Sequence, residues 1–149
     1  MILSTLARTA LAIVGALLRR RWASTRQPSN VYVVNLVTEC LDYRLQVGKH
    51  VAWRLDGRPG PAPVVDPPYY GEAVAHVIAL HSPAPIAKVA DRLVKQTRLL
   101  GKEFVRQDPA DPWVPNPREW DAALAEWLRR ADDYLREAAI ADAMDRVSG

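Results

Sequence analysis

Few side chains in this chain of 149 residues carry chemistry by type and spacing. The stretch "RLQVGKH" places Arg44 six residues before His50. A histidine titrates near neutral pH and serves as a general acid or base, and an arginine holds a phosphate. The other two histidines, His76 and His81, are five apart. On a helix, that spacing puts them on different faces, so they do not form an i, i+4 metal pair. One cysteine, Cys40, forms no internal disulfide, and with three histidines it makes no zinc set. It sits in an apolar run and is expected to be buried filler. The seven glycines are scattered and form no phosphate-cradling loop.

The Arg44/His50 spacing resembles that of ribonucleases of the HEPN class, which are also helical bundles. Those enzymes carry a polar residue after the arginine, where this chain has Leu45. The reading adopted is that Arg44 is a surface residue and His50 a boundary residue. No catalytic residue, metal site or cofactor is assigned, and the chain is expected not to be an enzyme.

A row of positive charge carries more information. "KVADRLVKQTRLLGKEFVR" holds Lys88, Arg92, Lys95, Arg98, Lys102 and Arg106, with gaps of three and four. On a helix these fall within about a third of the circumference, along a row of about 27 Å. Ile86, Val89, Leu93, Leu100 and Phe104 fall opposite, beside Ala90 and Thr97, which is a core stripe backing a charged one. Asp91 and Glu103 interrupt the basic face only in part. Arg19, Arg20, Arg21 and Arg26 are candidates to join this surface. Arg54 and Arg58 make a smaller basic group at another helix end.

The elements that position these residues are read from prolines and period. Eleven of the twelve prolines lie in three groups: 59 to 68, 83 and 85, and 109 to 117. Prolines mark helix ends. Between them, helices are expected over 2–22, 30–55, 69–81, 85–106 and 116–147, with a short strand as the alternative at the start of the second. The last opens on Asn116-Pro117 with Glu119 completing a capping box. Its stripe Trp120, Leu124, Trp127, Ala131, Tyr134, Leu135, Ala138 and Ala141 reads as core. The whole is a single all-α domain over 1–149, a compact bundle of four or five helices with Pro-rich connecting loops. Residues 1–22 form an amphipathic N-terminal helix. Arg8 interrupts its apolar run, and the ten uncharged residues from Thr9 to Leu18 fall short of the twenty that a spanning helix needs. A packed core helix is favoured there, an interfacial membrane helix is the alternative, and the expected location is cytoplasmic.

Net charge is +3 but unevenly spread. Residues 1–106 hold fifteen Lys/Arg and seven Asp/Glu, a balance of +8; residues 107–149 hold five and ten, a balance of −5. Such asymmetry suits contact with a polyanion on one part of the molecule. No zinc-finger, RRM or KH signature for reading bases is present.

In architecture, and through Lys88, Arg92, Lys95, Arg98, Lys102 and Arg106, the chain resembles the small subunits of multisubunit CRISPR effector complexes. The resemblance implies a non-enzymatic subunit that stacks along a ribonucleoprotein complex, holds RNA or DNA strands by backbone charge, and serves antiviral defence. Its partners would be nucleic acid and other protein subunits, copies of itself included. Two alternatives stand beside it. One is a structural or assembly protein, such as a virion or scaffold component, using the first and last helices as interfaces. The other is a peripheral membrane protein anchored by residues 1–22.

Overall fold

A computed structural model describes residues 28–66 and 84–148. The expected helices over 2–22 and 69–81 lie outside the described residues. Within them all regular structure is helical: α1, Pro28–Leu55; α2, Ala84–Phe104; and α3, Pro117–Ser148. The expected all-α class therefore holds for the described residues, and the strand considered at the start of α1 is replaced by helix. None of these helices is long and apolar enough to cross a membrane.

The period of the apolar residues explains the packing. Leu36, Val37, Cys40, Tyr43, Val47 and Val51 recur every three or four residues on α1, and all are buried. On α2 the buried set is Ile86, Ala90, Leu93, Val94, Thr97, Leu100 and Phe104. On α3 it is Trp120, Leu124, Trp127, Ala131, Tyr134, Leu135 and Ala138. Helix α2 packs against both others. Tyr43 meets α2 at Gly101, and His50 meets the chain at Arg106, so α1 and α2 run parallel. Phe104 lies edge-on to Trp120 with ring centroids 5.1 Å apart, and Thr97 accepts a 2.9 Å hydrogen bond from the Trp127 indole N–H. α3 therefore runs antiparallel to α2. The single hydroxyl of Thr97 also donates to the Leu93 carbonyl at 2.7 Å, which leaves no polar atom of this buried pair idle.

Helix ends are set locally. Asn116 Oδ1 accepts the backbone N–H of Arg118 at 2.9 Å and of Glu119 at 3.4 Å, so it caps α3 as its sequence predicts. α1 closes in a Schellman turn: Gly57 N–H donates to the Arg54 carbonyl and Arg58 N–H to the Trp53 carbonyl. Gly57 takes the left-handed conformation this turn requires (φ 86°), and Arg58 follows it there (φ 61°). The turn aims Arg58 at the loop beyond α2.

One interhelical contact leaves no slack. A Cβ on Gly101 would run into the Tyr43 hydroxyl and lie 2.8 Å from its Cζ. Glycine at 101 is what lets the α1 tyrosine lie flat on α2.

Candidate nucleic-acid interface and the buried arginine clasp

The outward face of α2 carries Lys88, Arg92, Lys95, Arg98 and Lys102, all exposed. Their side chains point away from Leu93, Leu100 and Phe104, as the spacing predicts. Lys95 pairs with Asp91 at 2.8 Å, with both side chains exposed. Among the described residues, Lys88, Arg92 and Lys102 have no carboxylate within ion-pairing distance. α3 differs: Glu126 pairs with Arg129 at 2.7 Å and Arg130 at 2.8 Å, and Asp132 pairs with Arg136. Its outer charges cancel along the helix, whereas most of those on α2 do not. Leu99 stands within the α2 basic face, 39% exposed.

Arg106 does not belong to this row. α2 ends at Phe104, and Arg106 turns inward, half-buried, with its guanidinium 4.3 Å from the centre of the Trp113 ring. Helix termination therefore moves the sixth base from the outer face to the end of the bundle. Arg19, Arg20, Arg21 and Arg26 lie outside the described residues.

Sequence reasoning placed Arg54 on a basic surface, and the structure corrects this. Arg54 is 1% exposed and all five of its N–H donors are used. Nε–H donates to His50 Nε2 at 3.0 Å. Nη1 donates to the carbonyls of Asp111 (2.7 Å) and Trp113 (3.2 Å), and Nη2 to those of Arg106 (3.0 Å) and Asp108 (2.9 Å). One side chain from α1 thereby gathers the α2–α3 loop around itself. Arg58 adds Nη1 contacts to the carbonyls of Pro109 (3.0 Å) and Asp111 (3.2 Å). Within the loop, Asp108 accepts the Ala110 N–H and Asp111 the Trp113 N–H, each at 2.9 Å. These short Asx turns hold the carbonyls in place.

Arg44 and His50 are buried too, at 2% and 3% exposure, so neither is the surface or boundary residue expected. The Arg44 guanidinium lies 5.4 Å from the Trp127 ring centre, and its Nε–H has no acceptor. Burial pushes its pKa below the usual guanidinium value. His50 Nε2 accepts from Arg54 and from the Arg106 backbone N–H at 3.3 Å. Both members of the HEPN-like pair are thus committed to packing and to the clasp. His50 also lines a pocket of about 240 Å³ with Pro63, Val65, Val105, Arg106 and Pro109.

Cys40 is fully buried, as expected, and desolvation pushes its thiol up to about 12. Among the described residues, no group of three or more His, Cys, Asp or Glu is placed to hold a metal ion. The charged core was within reach of the sequence. Arg54 lies in the same helical stripe as Leu36, Val47 and Val51, and its charge argued it outward against its position. No protein-family model, curated protein or solved structure matches this chain.

Proposed function

We propose that this protein is a non-enzymatic, sequence-independent nucleic-acid-binding subunit of a larger ribonucleoprotein complex, of the kind that small subunits of CRISPR effectors represent. The observation that carries the reading is the outer face of α2. Lys88, Arg92 and Lys102 project there without a carboxylate partner among the described residues, with Lys95 between them. A helix that only needed solubility is served by mixed charge, as on α3. Phosphates are the ligand class that such a row suits. Backbone contacts of this type position a strand and read no sequence. RNA and DNA are both suited to it, and the working partners are other protein chains or copies of this one in the cytoplasm. Arg98 shares the face. Arg106 is withdrawn from the proposed set because its guanidinium lies over the Trp113 ring and donates to the Val105 carbonyl at 3.4 Å.

The burial of Trp120 and Trp127 (4% and 0% exposed) supports this reading over an assembly protein that docks through the tryptophan face.

The test is the salt dependence of binding to two unrelated single-stranded oligonucleotides. Each neutralised phosphate adds about 0.7 to the slope of log affinity against log salt. Changing Lys88, Arg92 and Lys102 together to Gln is expected to lower the slope by about 2 and to weaken both oligonucleotides alike. Circular dichroism should show an unchanged helical fold. A well-folded triple variant with unchanged affinity and slope would remove this function from α2.

A further inference from the structure

The α2–α3 loop is held to the end of α1 by the carbonyl contacts of Arg54 and Arg58 and, where it leaves α2, by one titratable acceptor. His50 Nε2 takes a hydrogen bond from the Arg54 Nε–H at 3.0 Å and another from the Arg106 backbone N–H at 3.3 Å. An imidazole nitrogen accepts only when it carries no proton, so the ring must be neutral with its proton on Nδ1. That proton has no partner in the fold, and the atom is sealed from solvent. The ring is 3% exposed and lies 5.8 Å from the Trp53 ring. The cations nearest to it by contact are Arg54 on its own helix and Arg106 on the loop. The loop carboxylates Asp108 and Asp111 are engaged with the backbone N–H groups of Ala110 and Trp113. From the 56–66 segment the pocket wall facing it is Pro63 and Val65, which offer no charge.

We infer that His50 is an acid-sensitive latch on the start of the loop: protonation at Nε2 frees the Arg106 amide and opens the turn out of α2, while the Arg54 and Arg58 contacts to the loop carbonyls and the helical core stay in place. A proton at Nε2 converts the acceptor into a donor. It would face two N–H groups and stand beside the Arg54 guanidinium, with nothing to accept from it. Both hydrogen bonds break together. Arg54 is left with its four carbonyls, and the Arg106 amide is freed, which loosens the turn leading out of α2. The core contacts of Trp127, Thr97 and Leu93 lie further along the bundle and do not involve His50.

The direction of the pH effect follows. Burial first, and the charge of Arg54 second, hold the imidazole pKa below its ordinary value of 6.5. The open loop returns His50 to about that ordinary value. The closed state is therefore favoured fully above pH about 6.5 and weakens as pH falls toward the lower, closed-state value. Across that window the opening equilibrium rises by up to about tenfold per pH unit.

The experiment is NMR on the full chain. Nitrogen correlation spectra of the histidine rings should show His50 with Nδ1 protonated and Nε2 bare. Amide hydrogen exchange, corrected for intrinsic rates, should show the protection of Arg106 falling by up to about tenfold per pH unit below pH about 6.5. Leu93 and Leu124 should keep theirs over the same range. His50→Gln, which accepts at the same place without titrating, should abolish the pH step. If that variant does not fold, the wild-type comparison of Arg106 with Leu93 still decides. An Nε2-protonated ring would overturn the latch. So would Arg106 protection that stays flat through the His50 titration, or that falls together with the core amides.

Discussion

Two arginines on α1 are buried to nearly the same degree and are treated in opposite ways. Arg54, near the helix end, spends five donors on four carbonyls and an imidazole. Arg44, ten residues earlier, lies against the Trp127 ring with its Nε–H unmatched. Neither has a carboxylate within ion-pairing distance among the described residues. Burying a cation costs several kcal/mol unless its donors are satisfied. At Arg54 the loop's carbonyl dipoles replace water one for one. At Arg44 an aromatic face offsets only part of the loss, worth about 2 kcal/mol at best when desolvated. Depth alone therefore does not set what a buried charge contributes. The number of acceptors that meet it does.

This contrast predicts unequal costs of removal. Arg54→Met should be the most damaging substitution. Five hydrogen bonds, each worth about 1 kcal/mol net, are lost, and partial re-solvation of the loop leaves a loss of about 3–5 kcal/mol. In thermal denaturation the midpoint should fall by about 10 °C. A loss below about 1 kcal/mol would show that the loop holds itself and that the clasp is decorative.

Gly101→Ala tests whether the middle of the bundle, where Arg44 lies, is held by steric fit instead. The new methyl meets the Tyr43 ring, so a loss of about 1–3 kcal/mol is expected in chemical denaturation. Combining it with Tyr43→Leu should cost less than the two separate losses summed, because the clash disappears. Strict additivity would mean that α1 shifts freely at this point.

The smallest effect is expected from Arg44→Met. The replacement keeps the apolar stem against Trp127 and removes the desolvated charge, so stability should change by less than about 1 kcal/mol either way. A loss above about 3 kcal/mol would erase the distinction between the two arginines.

How much of this was legible beforehand differs by element. The three described helices follow from spacing, and Asn116 from cap chemistry, because both are local properties of the chain. The outward row on α2 was legible for the same reason as far as Lys102. Arg106 was misplaced because the helix stops two residues earlier, where the chain turns to meet His50 and Arg54. Arg44, His50 and Arg54 were read as surface or boundary because a charge normally stays wet. What reverses that rule for Arg54 is a ring of carbonyls more than fifty residues away. No local pattern announces it. The position of these residues on the core stripe of α1 was the available signal.

The parallel course of α1 and α2 has a kinetic consequence. α2 and α3 run antiparallel across a short loop, so their contacts close a small span of chain. Helix α1 meets α2 through pairs far apart in sequence, such as His50 with Arg106, 56 residues on. Closing that longer span costs more chain entropy before any contact repays it. The α2–α3 hairpin is thus the natural folding nucleus, with α1 docking later. Arg54 is then the last bolt to engage, and substitutions there should quicken unfolding while scarcely slowing folding.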